Sequence, residues 1–416
     1  MADLNSPRYG HGAVLINKKI YIYGGRKVNR TTDPYEMDKI NIINEFIILD
    51  VSKSFKTDKP TWDVDNSGSD TNPNLYNHGV TSGGNDLMII FGGISDTNSS
   101  ILWYCNTENS KTFQSPNVNV SSISSSNRFL FDMNSEDKYI YIIGGIETNS
   151  LSTVTESEGI IMIDISNIES DNIISNSINA NVASYDHTAT LLNGKIYIIG
   201  GYNAGSYVNM SSIRIYNTKD RTWDTSLTNG DIPDVRRAHR AVEYKNTIII
   251  HGGFNENGDT NDLFRLKVST LTWEKLNVLG PDPGARYSHT FNLVGNYIIG
   301  TYGLSKTNGS LSNIFILDLN TSSWTNEFKP LIETTSSSSS IPSPTNVDRS
   351  SPKKSSGGKR SPSAISRIET VTIFFIIKED RDQLVNDALC VKNVIDQPTR
   401  SNTGFHYWTY KKSNFR

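Results

Sequence analysis

The sequence predicts an all-β chain: six copies of a small sheet of four antiparallel strands, each copy about fifty residues long, stacked face to face. Three recurring landmarks predict it. Glycine pairs closing a β-branched or aromatic run stand at Gly24-Gly25, Gly92-Gly93, Gly144-Gly145, Gly200-Gly201 and Gly252-Gly253, with Tyr302-Gly303 as an altered sixth copy. The steps between them are 68, 52, 56, 52 and 50 residues. His11, His187, His239 and His289 each stand thirteen residues before the first position of their pair; His78 stands fourteen before, and Phe131 takes the place in the third copy. An aromatic residue follows at Trp62, Phe113, Trp223, Trp273 and Trp324. Its distance from the second glycine is 20–22 residues in four copies and 37 in the first, which carries an insertion at Arg26–Asn44.

Within a copy, four short runs rich in Ile, Val, Phe and Thr are separated by turn residues. In the fifth they are Arg240–Tyr244, Thr247–Gly252, Asp262–Val268 and Thr272–Leu276. Leu192-Asn193-Gly194-Lys195 and Val294-Gly295-Asn296 read as tight hairpin turns between first and second runs. One such sheet cannot cover both its faces, so the copies must pack on one another. Radial stacking around a central channel, a propeller, is the usual solution. The copies span Tyr9–Val64, Tyr76–Ser115, Phe129–Ser175, Asp186–Ser226, Ala238–Leu276 and Ser288–Phe328. Each looks whole from first strand to fourth, so the ring is expected to close without borrowing a terminal strand. The glycine pairs fit close backbone approach and unusual backbone angles. No helix start follows them, as a phosphate cradle would require. The tryptophans read as packing between blades.

Glycine doublet, apolar strand and tryptophan at this spacing resemble the kelch repeat, over residues 8–328. The resemblance implies a six-bladed propeller related in fold to galactose oxidase. It also implies a non-catalytic scaffold or adaptor that binds another protein, without the BTB domain many relatives carry. The runner-up it implies is a galactose oxidase-like or other carbohydrate-active enzyme. That copper chemistry needs two tyrosines, two histidines and a thioether-forming cysteine. Cys105 sits in a strand pattern beside Trp103 and Tyr104, with nothing to place it at the axis. No cofactor, no metal site and no catalytic set stands above background.

Composition narrows the classes further. The net charge of −3 argues against a general nucleic-acid binder, and two cysteines cannot build a disulfide framework or a zinc site. The first residues lack the apolar core of a secretory leader, so the six Asn-x-Ser/Thr triplets are expected to be unmodified and the chain cytoplasmic. No apolar run is long enough for a membrane helix. After Phe328 the composition changes: residues 329–367 are Ser/Pro-rich and read as a disordered linker, and 368–416 form a short segment of unknown structure containing one strand-like run. The linker holds Lys353, Lys354, Lys359 and Arg360, a patch readable as nuclear targeting or as solvated charge. The repeat region carries 26 Lys/Arg against 35 Asp/Glu and the tail 14 against 8, so the two could attract.

Strand direction selects a candidate face. Loops after the second and fourth strands open on one side and are long and variable; loops after the first and third open on the other and are short. Binding usually lives on variable loops over a rigid scaffold. Arg8, Arg128, Arg236 and Arg286 each stand three residues before the first-strand landmark, on the long-loop side. One reading is a collar for carboxylates or phosphates of an acidic or phosphorylated partner segment. The other is a set of scaffold residues bonding blade to blade. The histidines read as structural, because residues spread around a ring at one height could meet only near its axis. A monomer is expected.

Overall fold

The computed structural model describes residues 7–27, 41–65, 71–84, 86–95, 101–109, 112–116, 127–148, 154–157, 159–168, 174–178 and 184–330. The expected linker and C-terminal segment lie outside them, apart from their first two residues. Among the described residues there is no α-helix, and no helix is long and apolar enough to cross a membrane.

Six sheets of the repeat size follow one another. Blade 5 runs Arg240–Tyr244, Thr247–His251, Leu263–Lys267, Thr272–Lys275, each strand antiparallel to the one before. Its first turn is Lys245-Asn246, both at positive φ, and Asn193-Gly194 in blade 4 does the same. Two consecutive left-handed residues match the right-handed twist of the flanking strands, which is why Asn and Gly recur there. Asn229–Gly230, from the loop after blade 4, adds a fifth, parallel strand at the outer edge of blade 5, while blades 1, 3, 4 and 6 have four strands. Among the described residues blade 2 shows three strands, with a bridge between Tyr104 and Gln114 at the place of the fourth.

The core lies between sheets rather than within one. Alternate residues of a strand point to opposite faces, so Ile248 and Ile250 pack with Tyr197, Ile199 and Ile213 of blade 4. Ile249 between them packs with Ile298, Phe315 and Leu317 of blade 6. All three isoleucines are fully buried. Second strands are therefore continuous apolar runs, whereas the outer strand Thr222–Leu227 of blade 4 is mostly exposed.

The innermost strands, Gly12–Ile16, Gly79–Ser82, Asp132–Glu136, Thr188–Leu192, Arg240–Tyr244 and Thr290–Val294, each pack on the next, and the last packs on the first. Two cycles of backbone hydrogen bonds run with them. In one, Asn77 donates to Gly10, Leu130 to Asn77, Asp186 to Leu130, Ala238 to Asp186, Ser288 to Ala238 and Gly10 to Ser288, at 2.7–3.3 Å. All six residues have φ between 50° and 62°. In the other, the last glycine of each doublet donates to the next blade: Gly25 to Leu75, Gly93 to Arg128, Gly145 to Ser184, Gly201 to Arg236, Gly253 to Arg286 and Gly303 to Arg8, at 2.8–3.0 Å. Among the described residues no strand is exchanged at the seam between blades 6 and 1. A two-residue clip, Glu327–Phe328 on Phe55–Lys56, fastens it instead.

The glycine doublets follow from this geometry. A Cβ on Gly252 would meet the Arg286 carbonyl and the His289 ring of the next blade, and its φ is +67°. Tyr302 holds the equivalent place at the seam with φ 54°, and its ring packs against Trp62, Arg8 and His11 of blade 1.

The long loops of blades 4 to 6 hold regular structure. After each doublet of blades 4, 5 and 6 a short hairpin forms: Tyr202–Asn203 with Ser206–Tyr207, Phe254–Asn255 with Gly258–Asp259, and Leu304–Ser305 with Gly309–Ser310. These hairpins crown the long-loop face.

Candidate functional site

The four arginines of the expected collar lie inside the blades. Arg8, Arg236 and Arg286 are at most 1% exposed and Arg128 is 7% exposed. Each sends Nη1 to the carbonyl that opens its own blade's doublet: Arg8 to Gly24 (3.3 Å), Arg128 to Gly144 (3.4 Å), Arg236 to Gly252 (3.2 Å) and Arg286 to Tyr302 (3.0 Å). Three are ion-paired in the same blade, Arg8 with Glu45, Arg128 with Glu147 and Arg236 with Asp262, and Arg286 bonds the Asn313 amide oxygen at 3.1 Å. Burial pulls the Arg286 guanidinium down to about 10 and lowers that of Arg128. In blade 4 the position is Ser184, and Arg214 from the third strand reaches its hydroxyl at 2.9 Å. This is the geometry of scaffold arginines. Their side chains tie the doublet to its own blade, while their backbone carbonyls accept the bond from the blade before.

The histidines sit at the joints between blades. His11 meets the Thr301 hydroxyl of blade 6, His239 the Thr188 hydroxyl of blade 4, and His289 the ring of His251 in blade 5, all at 3.1 Å. Burial holds every one of them neutral: His78, His187 and His251 are pushed down to about 3, and His11, His239 and His289 well below their ordinary value. His11, His78 and His187 come together around the axis, but among the described residues no three His, Cys, Asp or Glu side chains are placed to hold a metal. Beside them at the axis is a cavity of about 30 Å³, lined by residues such as Asn77, His78, Asp186 and Arg240. It has room for a water or two, not for a sugar ring. Cys105 is buried in the core shared by blades 1 and 2, with Tyr21, Tyr23 and Met88.

What reaches solvent on the long-loop face is different in kind. In blades 4 to 6 the crown hairpins and the residues they bridge present Tyr202, Tyr207, Phe254 and Tyr287, all half-buried. Phe254 packs on Tyr287 with ring centres 4.6 Å apart, and Tyr202 on Tyr207 at 5.0 Å. Beneath them Arg237, 1% exposed, is enclosed by rings: its guanidinium carbon is 4.6 Å from the centre of Phe254, 4.8 Å from Tyr202 and 5.7 Å from Tyr185. Asp186 lies 4.0 Å from that guanidinium. Around the rings Asp231, Asp234, Glu256 and Asp282 are exposed and Asp259 is half-buried, against Lys306 in the crown and Lys275 on the outer edge. Sequence spacing singled out the arginines because they recur. The ring position of Tyr287 recurs too, as Tyr9, Tyr76, Phe129 and Tyr185 two residues before each landmark, and this was the signal that could have found it; Tyr207 and the carboxylates carry no such period.

Known proteins match the chain in the same terms. A family model described as the KLHDC2/KLHL20/DRC7 Kelch-repeats domain matches residues 186–346. Kelch domain-containing protein 3 of Homo sapiens is 24% identical over 303 residues, covering 70% of this chain and 76% of that protein. Kelch domain-containing protein 10 of Xenopus tropicalis is 30% identical over 141 residues, 32% of this chain and 34% of that protein. Host cell factor 1 of Homo sapiens is 31% identical over 150 residues, 32% of this chain but 7% of that much longer protein. With the doublets, the four-stranded sheets and these relatives in agreement, the chain is a kelch-repeat protein.

Proposed function

We propose that this chain is a non-catalytic interaction scaffold, and that its protein partner seats on the long-loop face over blades 4 to 6. The observation that carries this is the contrast between the two layers of that face. Below, buried arginines, histidines and doublets lock the blades together. Above, half-buried aromatic rings stand on short hairpins where a partner can reach them, and aromatic residues are the side chains most enriched at the centres of protein interfaces. An acidic or phosphorylated partner would need cations that reach solvent, and the four recurring arginines are buried. The enzyme alternative would need a cysteine and tyrosines meeting at the axis. Cys105 is instead packed between two sheets, and the axial cavity is smaller than a sugar.

The test is cross-linking and mass spectrometry on complexes captured by the full chain from native extract. Cross-links concentrated on Glu256, Asp259, Asp282 and Lys306 are the expected result. Cross-links confined to the opposite side, at Lys53, Lys219 and Lys245, would refute the assignment of the face.

A further inference from the structure

Resting on that reading of the face, we propose that its partner presents a segment bearing lysine or arginine, so the face reads positive rather than negative charge. The recurring arginines suggest the reverse until their burial is taken into account. Arg236 is neutralised by Asp262, and Arg237 has Asp186 at 4.0 Å, both within the scaffold. Setting aside these pairs and Asp282, whose charge acts on the buried Arg286, leaves exposed Asp231, Asp234 and Glu256 and half-buried Asp259 against Lys275 and Lys306. The wider field has the same sign, with 26 Lys/Arg against 35 Asp/Glu over residues 1–328. A surplus of that kind steers a cationic partner inward and repels an anionic one.

The rings supply the second half of the recognition. A guanidinium or ammonium over an aromatic face is attracted by the ring quadrupole, more strongly where water is excluded. These rings already hold one guanidinium, that of Arg237, on their inner side. Tyr202 and Phe254, which contact it, are half-buried, so part of each remains open to solvent. Carboxylates flank them in register. Asp259 is the direct cross-strand partner of Phe254, and its Oδ2 accepts the Lys306 backbone N–H at 3.1 Å, joining the crowns of blades 5 and 6. Glu156 accepts the Ala204 N–H at 2.8 Å and joins blade 3 to the blade 4 crown. A cationic side chain laid on Phe254 or Tyr207 would therefore have a ring below it and a carboxylate beside it.

The test uses the full chain and two labelled peptides on one Gly/Ser frame, one carrying two arginines and two lysines and the other four glutamates, followed by fluorescence anisotropy. The cationic peptide is expected to bind and the anionic one not. Binding is expected to weaken about tenfold between about 50 mM and 300 mM salt, as exposed charges are screened. The triple variant D231N/D234N/E256Q, which changes only exposed side chains, is expected to bind about tenfold more weakly with an unchanged unfolding temperature. Equal binding of the anionic peptide, no binding of the cationic one, or unchanged binding by the triple variant would each overturn the proposal. Binding that appears only after Lys353, Lys354, Lys359 and Arg360 are changed to alanine would also overturn it, by giving the face to the chain's own basic run. Partner cross-links on this face without cationic-peptide binding would sink this inference and leave the scaffold function standing.

Discussion

Acid is expected to open this propeller, and the size of the effect follows from its histidines. His11, His78, His187, His239, His251 and His289 are all buried at blade joints and held neutral, three of them with pKa about 3 and three well below the ordinary value. In the unfolded chain each titrates near ~6.5. Between those limits the unfolded chain binds more protons than the folded one. The stabilisation is therefore complete above about pH 6.5 and is lost as pH falls below it, until the folded pKa is reached. One histidine loses about 1.4 kcal/mol per pH unit, so six lose about 8 kcal/mol by pH 5.5. Asp132, whose carboxyl burial pushes upward, works in the opposite sense and offsets a small part. A loss of that size is comparable to the whole stability of a typical domain, about 5–15 kcal/mol. The assay is urea unfolding read by tryptophan fluorescence at several pH values from about 7.5 to 5.5, with proton uptake measured in parallel. The variant H239Q should show a slope shallower by about one proton. Stability flat across this range, or uptake of less than about one proton on unfolding, would refute the reasoning.

Three further outcomes follow from the joints. Arg236→Ala leaves the Asp262 carboxylate and the Gly252 carbonyl without their partner, and is expected to cost about 3 kcal/mol by denaturant titration. Gly252→Ala places a methyl group against the Arg286 carbonyl at positive φ, and should cost more than Gly205→Ala, which meets open space and pays about 1 kcal/mol for its backbone angle alone. Tyr302→Gly restores the residue found in the other five copies, yet is expected to destabilise by about 2 kcal/mol, because the ring packed on Trp62, Arg8 and His11 is lost. A gain in unfolding temperature for that variant would show that left-handed strain at Tyr302 outweighs its packing.

The repeat was legible because propeller blades share one environment: each must bury both faces, turn sharply after its second strand and accept the next blade. That is why the five doublets, the histidines and the strand bounds of blade 5 could be read within a residue or so. The fourth strand of blade 2 was less legible, because Phe113 supplies the aromatic landmark while among the described residues only Gln114 bridges Tyr104. The crown hairpins escaped notice because two-residue strands have too short a pattern to register. The clip at Phe328 escaped because its partner, Phe55, is 273 positions away along the chain.

By itself the sequence determined the fold class, the copy number and the kelch family, since those rest on local patterns repeated often enough to be unmistakable. It also marked the arginines as important. Only the tertiary structure decided in what way, because the sign of a binding surface depends on which charges are buried against partners far apart in sequence. Arg236 and Asp262 are 26 residues apart, and Arg237 and Asp186 are 51 apart. Once those pairs close, Asp231, Asp234 and Glu256 are among the charges left facing solvent over blades 4 to 6.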